Sequence, residues 1–294
     1  MKIITSVVNN PIFIEIQYYT LKKYFKGDYE FIVFNDAKNF PDYTNNNDIT
    51  IKQKIIETCN RLNIQCINIP NCRHQLNRIS SVRVADSMNF ILEYQKKNPD
   101  KYLLLDSDMF LVDYFDINKY IQYDCAIVLQ CRNNFRTNYF WNGFYYFDMT
   151  KMKDLELLDW NCVHPTTEYK EGCDTGGCMQ KWLSIQMQNK NMPTTDEIRW
   201  TNNSFHTDTI YFIKHLWSCS WSMEELPNSI LENNKKLIHF LQKDARNENG
   251  KFFCEIYDNG FLHYRAGGNW RGEGVNFHNR LSQLLKECLV DNEE

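Results

Sequence analysis

Through the first 106 residues, short apolar runs alternate with segments of helical spacing, and this alternation restricts the possible folds more than any other feature of the chain. Lys2 to Val8 is a β-branched run. Asn9-Asn10-Pro11 then offers a helix cap with proline at the first helical position. Ile12, Ile16, Tyr19 and Lys23 predict a helix to about Phe25, and Phe31 to Phe34 a second strand. Ile51 to Leu62 reads as a helix and Gln65 to Ile69 as a third strand. The repeat Ile79, Val82, Ala85, Met88, Leu92 predicts a long amphipathic helix closed by Asn98-Pro99-Asp100, and Tyr102 to Leu105 a buried strand. Strands alternating with helices imply an α/β fold whose central sheet is mostly parallel and covered on both faces. Ligands of such sheets sit beyond the carboxyl ends of the strands. Asn9, Asp36 and Asp106, which close three of the runs, are therefore the first residues to inspect.

After Asp116 the pattern loosens into an irregular C-terminal elaboration. Cys125 to Leu129 and Phe144 to Phe147 read as strands, and Thr150 to Trp160, Gly177 to Gln188 and Asn276 to Cys288 as helices. No internal repeat or linker divides the 294 residues, so a single domain is expected. A formal net charge of -4 without a basic stripe argues against a nucleic-acid partner. No apolar run approaches a membrane span. Met1 to Asn9 lacks the charged start, long apolar stretch and cleavage site of a signal peptide, so a cytoplasmic location is expected. The 11 cysteines show no framework spacing, and Cys173 and Cys178 have no second close pair to complete a zinc site, which points to reduced thiols.

The strongest chemical signal is Leu103-Leu104-Leu105-Asp106-Ser107-Asp108-Met109-Phe110-Leu111. A hydrophobic strand delivers two carboxylates, one residue apart, to its end, where both can converge on one cation. Hard cations such as Mg2+ and Mn2+ take oxygen ligands, usually one or two carboxylates together with substrate phosphates. A solvated acidic turn closing the strand is the alternative reading.

The segment Tyr102 to Met109 resembles the strand and Asp-X-Asp signature of GT-A glycosyltransferases, closest to the glycogenin-like and bacterial galactosyltransferase-like retaining families. Three more islands fall in matching order. Ile3 to Val8 resembles their first strand, and Phe140-Trp141-Asn142-Gly143 with Phe144 to Phe147 resembles their Asn-X-Gly segment. Phe261-Leu262-His263-Tyr264-Arg265-Ala266-Gly267-Gly268-Asn269-Trp270 resembles their late His–Gly–Trp segment. Where that segment usually carries Lys-Pro-Trp, this chain has Asn269-Trp270-Arg271, so Arg265 or Arg271 would replace the lysine. Leu237-Ile238-His239-Phe240 is a second match to the start of the segment.

The resemblance implies a Rossmann-like GT-A domain with a nucleotide-binding half, 1–116, and a donor-sugar and acceptor half, 117–294. Asp106, Asp108 and His263 would hold Mn2+ or Mg2+ on the diphosphate of a nucleotide sugar, a uridine diphosphate sugar being favoured. Thr5, Val7 and Asp36 would hold the nucleoside, with Ser107, Gly267, Gly268 and Trp270 also lining the donor site. Arg78 or Arg83 would reach the diphosphate from the helix before the Asp-X-Asp strand. Asn142 and Asp174, the latter in the glycine-rich run Gly172 to Gly177, would face the reacting sugar. The acceptor would be a glycan, a protein or a lipid-linked sugar. Each residue also has a plainer reading: Arg83 as a surface partner of Asp86, Asp36 as an ordinary turn, Asp174 as a helix cap. Trp200, Trp217 and Trp221 would either stack on an acceptor sugar or pack in the core. The competing functions are a haloacid-dehalogenase-like phosphotransferase, a nucleotidyltransferase and a non-catalytic sugar-binding module.

Overall fold

The computed structural model describes residues 1–72, 79–132, 137–163, 172–194, 196–199, 203–270 and 274–290. From the N-terminus come β1 (Lys2–Val7), α1 (Pro11–Tyr24), β2 (Phe25–Lys26), β3 (Glu30–Asn35), α2 (Ile51–Leu62) and β4 (Gln65–Asn68). Next are α3 (Ser80–Lys97), β5 (Lys101–Asp106), β6 (Met109–Leu111), β7 (Phe115–Asp116), α4 (Asn118–Ile121), β8 (Cys125–Arg132), β9 (Thr137–Asp148) and α5 (Gln180–Gln186). The rest comprises β10 (Phe205–His206), β11 (Ile210–Phe212), β12 (His215–Leu216), α6 (Asn228–Asn233), α7 (Lys235–Lys243), β13 (Glu255–Tyr257), β14 (Phe261–His263) and α8 (Val275–Leu289). The fold is α/β. Its central sheet is large and mostly parallel, with strand order β10-β11-β8-β9-β5-β1-β3-β4 and flanking helices. A second sheet of short antiparallel strands runs β12-β13-β14-β6.

Two compact units divide the chain. One comprises Met1–Ile3, Ile69–Leu104 and Asn118–Ile213, the other Ile4–Asn68, Leu105–Ile117 and Lys214–Glu294. They interleave along the sequence rather than following a break at residue 116. No helix among the described residues is long and apolar enough to cross a membrane.

In the first unit, α3 buries Arg83, Ala85, Met88, Ile91 and Leu92. The helix starts one residue later than the apolar repeat suggests, because Ile79 stands outside it as an exposed N-cap. The β8–β9 ladder carries a core of aromatic rings, with Trp160 stacked on Tyr145 at 5.1 Å and Trp182 edge-on to Phe140 at 5.5 Å. The helix expected over Thr150 to Trp160 is absent; only Leu155–Leu157 makes a 3-10 turn. Asp148 caps the preceding turn through the Thr150 N–H and hydroxyl, and Asp154 adopts a left-handed φ of 54° that a continuous helix excludes. Met152, Leu158 and Trp160 still reach the core from this irregular backbone.

In the second unit, Asn10 caps α1 by accepting from the Ile12 N–H, with Pro11 at the first turn. The helix buries Phe13, Ile14, Ile16 and Leu21, and with them the polar Gln17. Glu15 on its other side joins three helices: its carboxylate takes Lys286 Nζ of α8 at 2.6 Å and Arg61 Nη2 of α2. Trp221 is fully buried, with its indole N–H donated to the Cys254 carbonyl, so it belongs to the core. Trp217 packs against His215 and Tyr257. Of the second sheet, β12 and β13 carry no sequence signal of their own. They are two and three residues long, too short to show an alternation.

Burial works to raise the pKa of Glu15, but the hydrogen bonds and charges of Lys286 and Arg61 outweigh it and leave the carboxyl below its ordinary value. A carboxyl with a depressed folded-state pKa contributes stability above its unfolded pKa and loses it as pH falls through the folded value. Glu15→Gln should therefore cost about 1 kcal/mol at pH 7, the scale of a partly exposed ion-pair network. The cost should vanish near pH 2, and urea melts at the two pH values read the difference.

Candidate metal centre

The site lies within the second unit. β5 ends at Asp106, the chain turns through Ser107 and Asp108, and β6 starts at Met109. This turn is held from below by α1. Gln17 donates its side-chain amide to the Asp106 carbonyl at 2.7 Å and to the Met109 carbonyl at 3.1 Å, which explains a glutamine buried on an apolar helix face. The Ser107 N–H turns back to Asp106 Oδ1 at 2.8 Å. The antiparallel register of β14 on β6 pairs His263 with Met109, and this brings the imidazole to the two carboxylates across 155 residues of sequence.

His263 Nε2 lies 3.1 Å from Asp108 Oδ1 and 3.9 Å from Asp106 Oδ2. One ligand atom from each of Asp106, Asp108 and His263 falls within 4.8 Å of the others. Two carboxylate oxygens and one imidazole nitrogen suit Mn2+ or Mg2+, with positions left for other oxygen donors. His239, the other candidate, is exposed on α7 and takes no part in this cluster.

After His263 the backbone makes a tight loop. Arg265 and Ala266 both take left-handed conformations, with φ of 53° and 59°. The loop delivers the Gly267 N–H to Asp108 Oδ2 at 2.6 Å. This amide is thus committed to the Asp108 carboxylate. A Cβ at Gly267 would meet the Tyr264 ring at 2.7 Å, the Phe13 ring at 2.8 Å and Asp108 Cβ at 3.0 Å. At Gly268 it would meet nothing closer than Val8 at 3.4 Å. The Gly268 carbonyl accepts from Asn9 Nδ2, which also donates to Thr44.

The charges of the centre are interlocked. Burial and the neighbouring Asp108 push the Asp106 carboxyl up to about 7, although its side chain is 35% exposed and solvent moderates the effect. Burial works to raise Asp108 as well, but His263 and the Gly267 N–H prevail and hold it below its ordinary value. Burial works to lower His263, yet the carboxylates of Asp108 and Glu255 raise it to about 10. Glu255 on β13 was not visible as a site residue in the sequence. Its Oε2 lies 2.8 Å from His263 Nδ1 and accepts from the Tyr257 hydroxyl at 2.8 Å. A glutamate in Phe252-Phe253-Cys254-Glu255-Ile256-Tyr257 carries no motif; only the β13–β14 register, which pairs Glu255 with His263, reveals it.

The remaining candidates stand as follows. Thr5 and Val7 on β1 are fully buried, so neither side chain is open to a ligand, and the Val7 carbonyl accepts from the Asp36 N–H. Asp36 pairs with the buried Lys38 at 3.0 Å, an ion pair that the reading of Asn35-Asp36 as a simple turn missed. Ser107 is buried within the turn. Trp270 is half-buried, and its indole N–H meets no acceptor among the described residues. Arg265 donates to Ser218 Oγ at 2.9 Å. In the first unit, Arg83 is buried rather than a surface residue. Asn142 lies in a bulge of β9, where the ladder to β8 shifts register between Ile127 and Leu129. Asp174 is exposed and accepts from the Thr175 N–H. The glycines that made Asp174 notable have a packing origin. A Cβ at Gly176 would meet the Phe140 carbonyl at 2.4 Å, and one at Gly177 would meet Cys173 Cβ at 2.6 Å. Arg78, Trp200 and Arg271 lie outside the described residues.

No protein-family profile matches the chain, and no curated protein matches it.

The contrast between the two adjacent glycines is testable. Gly267→Ala should destabilise the protein by about 1–3 kcal/mol, the scale of an overpacked core site, because two rings and the Asp108 stem would have to move. It should also abolish Mn2+-dependent thermal stabilisation, whereas Gly268→Ala should keep it. Melting curves with and without Mn2+ read both effects.

Proposed function

We propose that the protein is a metal-dependent glycosyltransferase that moves a sugar from a nucleoside-diphosphate sugar to a glycan, protein or lipid-linked acceptor. The observation that carries this reading is the meeting of His263 with Asp106 and Asp108 at the end of β5, in an α/β fold where ligands bind beyond the carboxyl ends of strands. A chance Asp-X-Asp turn has no reason to gather a buried histidine from 155 residues away, nor to bend a left-handed loop over one of its aspartates.

In this reading Asp106, Asp108 and His263 hold Mn2+ or Mg2+ against the donor diphosphate. Such a cation stabilises the negative charge that grows on a diphosphate as it leaves. The protein's own residues do the rest. The Gly267 N–H fixes one oxygen of Asp108, so that its other oxygen is aimed at the cluster. Gln17 anchors both carbonyls of the turn and keeps the carboxylates in register. Asp106, the most open of the three, is the side through which a substrate phosphate would enter the coordination shell.

The test is donor hydrolysis. Protein with Mn2+ is incubated with a panel of nucleotide sugars, and released nucleoside diphosphate is counted. Release from one donor, suppressed by chelator and lowered at least about 100-fold in Asp108→Asn, is expected, since the cation supplies several kcal/mol of charge stabilisation. Silence across the panel, with no Mn2+-dependent thermal shift, overturns the reading in favour of a phosphotransferase or a binding module.

A further inference from the structure

Beside the cluster of three lies a further buried carboxylate, Glu255, which is 4% exposed and has partners on both oxygens. Oε2 meets His263 Nδ1 and the Tyr257 hydroxyl, each at 2.8 Å. Oε1 accepts from the Ser218 N–H at 3.3 Å and lies 3.6 Å from Arg265 Nε. A carboxylate buried this deeply costs several kcal/mol unless its partners compensate it. Nothing in the packing of β13 demands a charge there, since Ile256 and Tyr257 beside it are core residues.

We infer that Glu255 is the positioning residue of the metal centre, and that it selects which nitrogen of His263 faces the cation. This inference rests on the metal-dependent reading of the site. A carboxylate can only accept, so it requires Nδ1 to carry the hydrogen. Nε2 also faces a carboxylate, Asp108 Oδ1 at 3.1 Å, so without a cation both ring nitrogens carry hydrogen; a cation between Asp108 and Asp106 would displace the hydrogen of Nε2, while Glu255 keeps that of Nδ1. Ligating histidines commonly use this device: the second ring nitrogen donates to a carboxylate, which fixes the tautomer and the ring plane. Tyr257 and Ser218 aim Glu255 in turn, so the chain Tyr257–Glu255–His263 runs from the second sheet into the cluster. Arg265 shares the same carboxylate, which ties the left-handed loop and Gly267 to the imidazole. A glutamine at 255 would break the device without changing its volume. Its amide N–H can donate to Nδ1, which places the hydrogen on Nε2 and blocks the ligand atom.

The test uses Mn2+ alone, without a donor. Calorimetric titration is run on the wild-type chain, Glu255→Gln, Glu255→Asp and Asp108→Asn, beside melts of each metal-free protein. Mn2+ binding weakened about 10- to 100-fold in Glu255→Gln, with a smaller loss in Glu255→Asp, is expected. Wild-type affinity in Glu255→Gln, with only a lowered melting temperature, overturns the inference while leaving the metal site standing. Failure of the wild-type chain itself to bind Mn2+ overturns the proposed function instead. Should the Gln variant not fold, nitrogen-15 NMR of the wild-type histidines with Mg2+ decides. The His263 signal, identified by its loss in His263→Gln, should show hydrogen on Nδ1, and hydrogen on Nε2 overturns the inference.

Discussion

Everything in the second unit near the site turns on the burial of Asp108. A carboxylate that is 3% exposed must be compensated, because desolvation of an unpaired charge costs several kcal/mol. Two partners from the same segment do this. His263 approaches one oxygen and the Gly267 N–H the other. The Tyr264 N–H also donates to the Asp108 backbone carbonyl, so the residue is clasped by three residues of one segment, His263, Tyr264 and Gly267. The second sheet exists to bring that exit to the strand end. Its β14–β6 register sets His263 opposite Met109, one residue beyond Asp108, and a slip of one position would turn the imidazole to the other face.

That dependence explains what could be read from the sequence and what could not. The α/β class followed from strands and helices long enough to show their period. α2 occupies the predicted Ile51–Leu62, and α1 starts at the cap and proline that marked it. Asp106 and Asp108 were legible because they are local: one apolar strand and the residues directly after it. His263 was legible through its place at the head of the late His–Gly–Trp segment. Gly267 is small so that two rings and Asp108 can close on it, and its amide is committed to Asp108.

Glu255 and Gln17 were not legible, and they share a cause. Each is a polar residue whose value depends on a partner fixed by tertiary register: His263 across β13–β14, and the Asp106 and Met109 carbonyls across from α1. Local pattern carries no trace of such pairings. The false helix over Thr150 to Trp160 is the converse case. There the apolar spacing was genuine and its residues are buried, but Asp148 and Asp154 spend the backbone on turns, and side-chain competition for backbone groups won over periodicity.

The loop after β14 shows how tightly the arrangement is specified. Two consecutive non-glycine residues in left-handed conformations cost on the order of 1–3 kcal/mol each. Such strain persists only where the surroundings over-determine it. Here Arg246 does so. It holds Asp244 through Nε and Nη2, at 2.9 and 2.7 Å, and spends its remaining donors on the carbonyls of Tyr264 and Arg265. Its guanidinium lies 4.3 Å over the Tyr264 ring, whose edge in turn closes on Gly267. A lysine could not reproduce this, having one nitrogen where four directed bonds are needed. Residues that only filled a turn would relax to an ordinary backbone. A fold that maintains the strain, and commits a buried arginine to it, does so because the Gly267 N–H must reach Asp108, and Asp108 must stay aimed at Asp106 and His263.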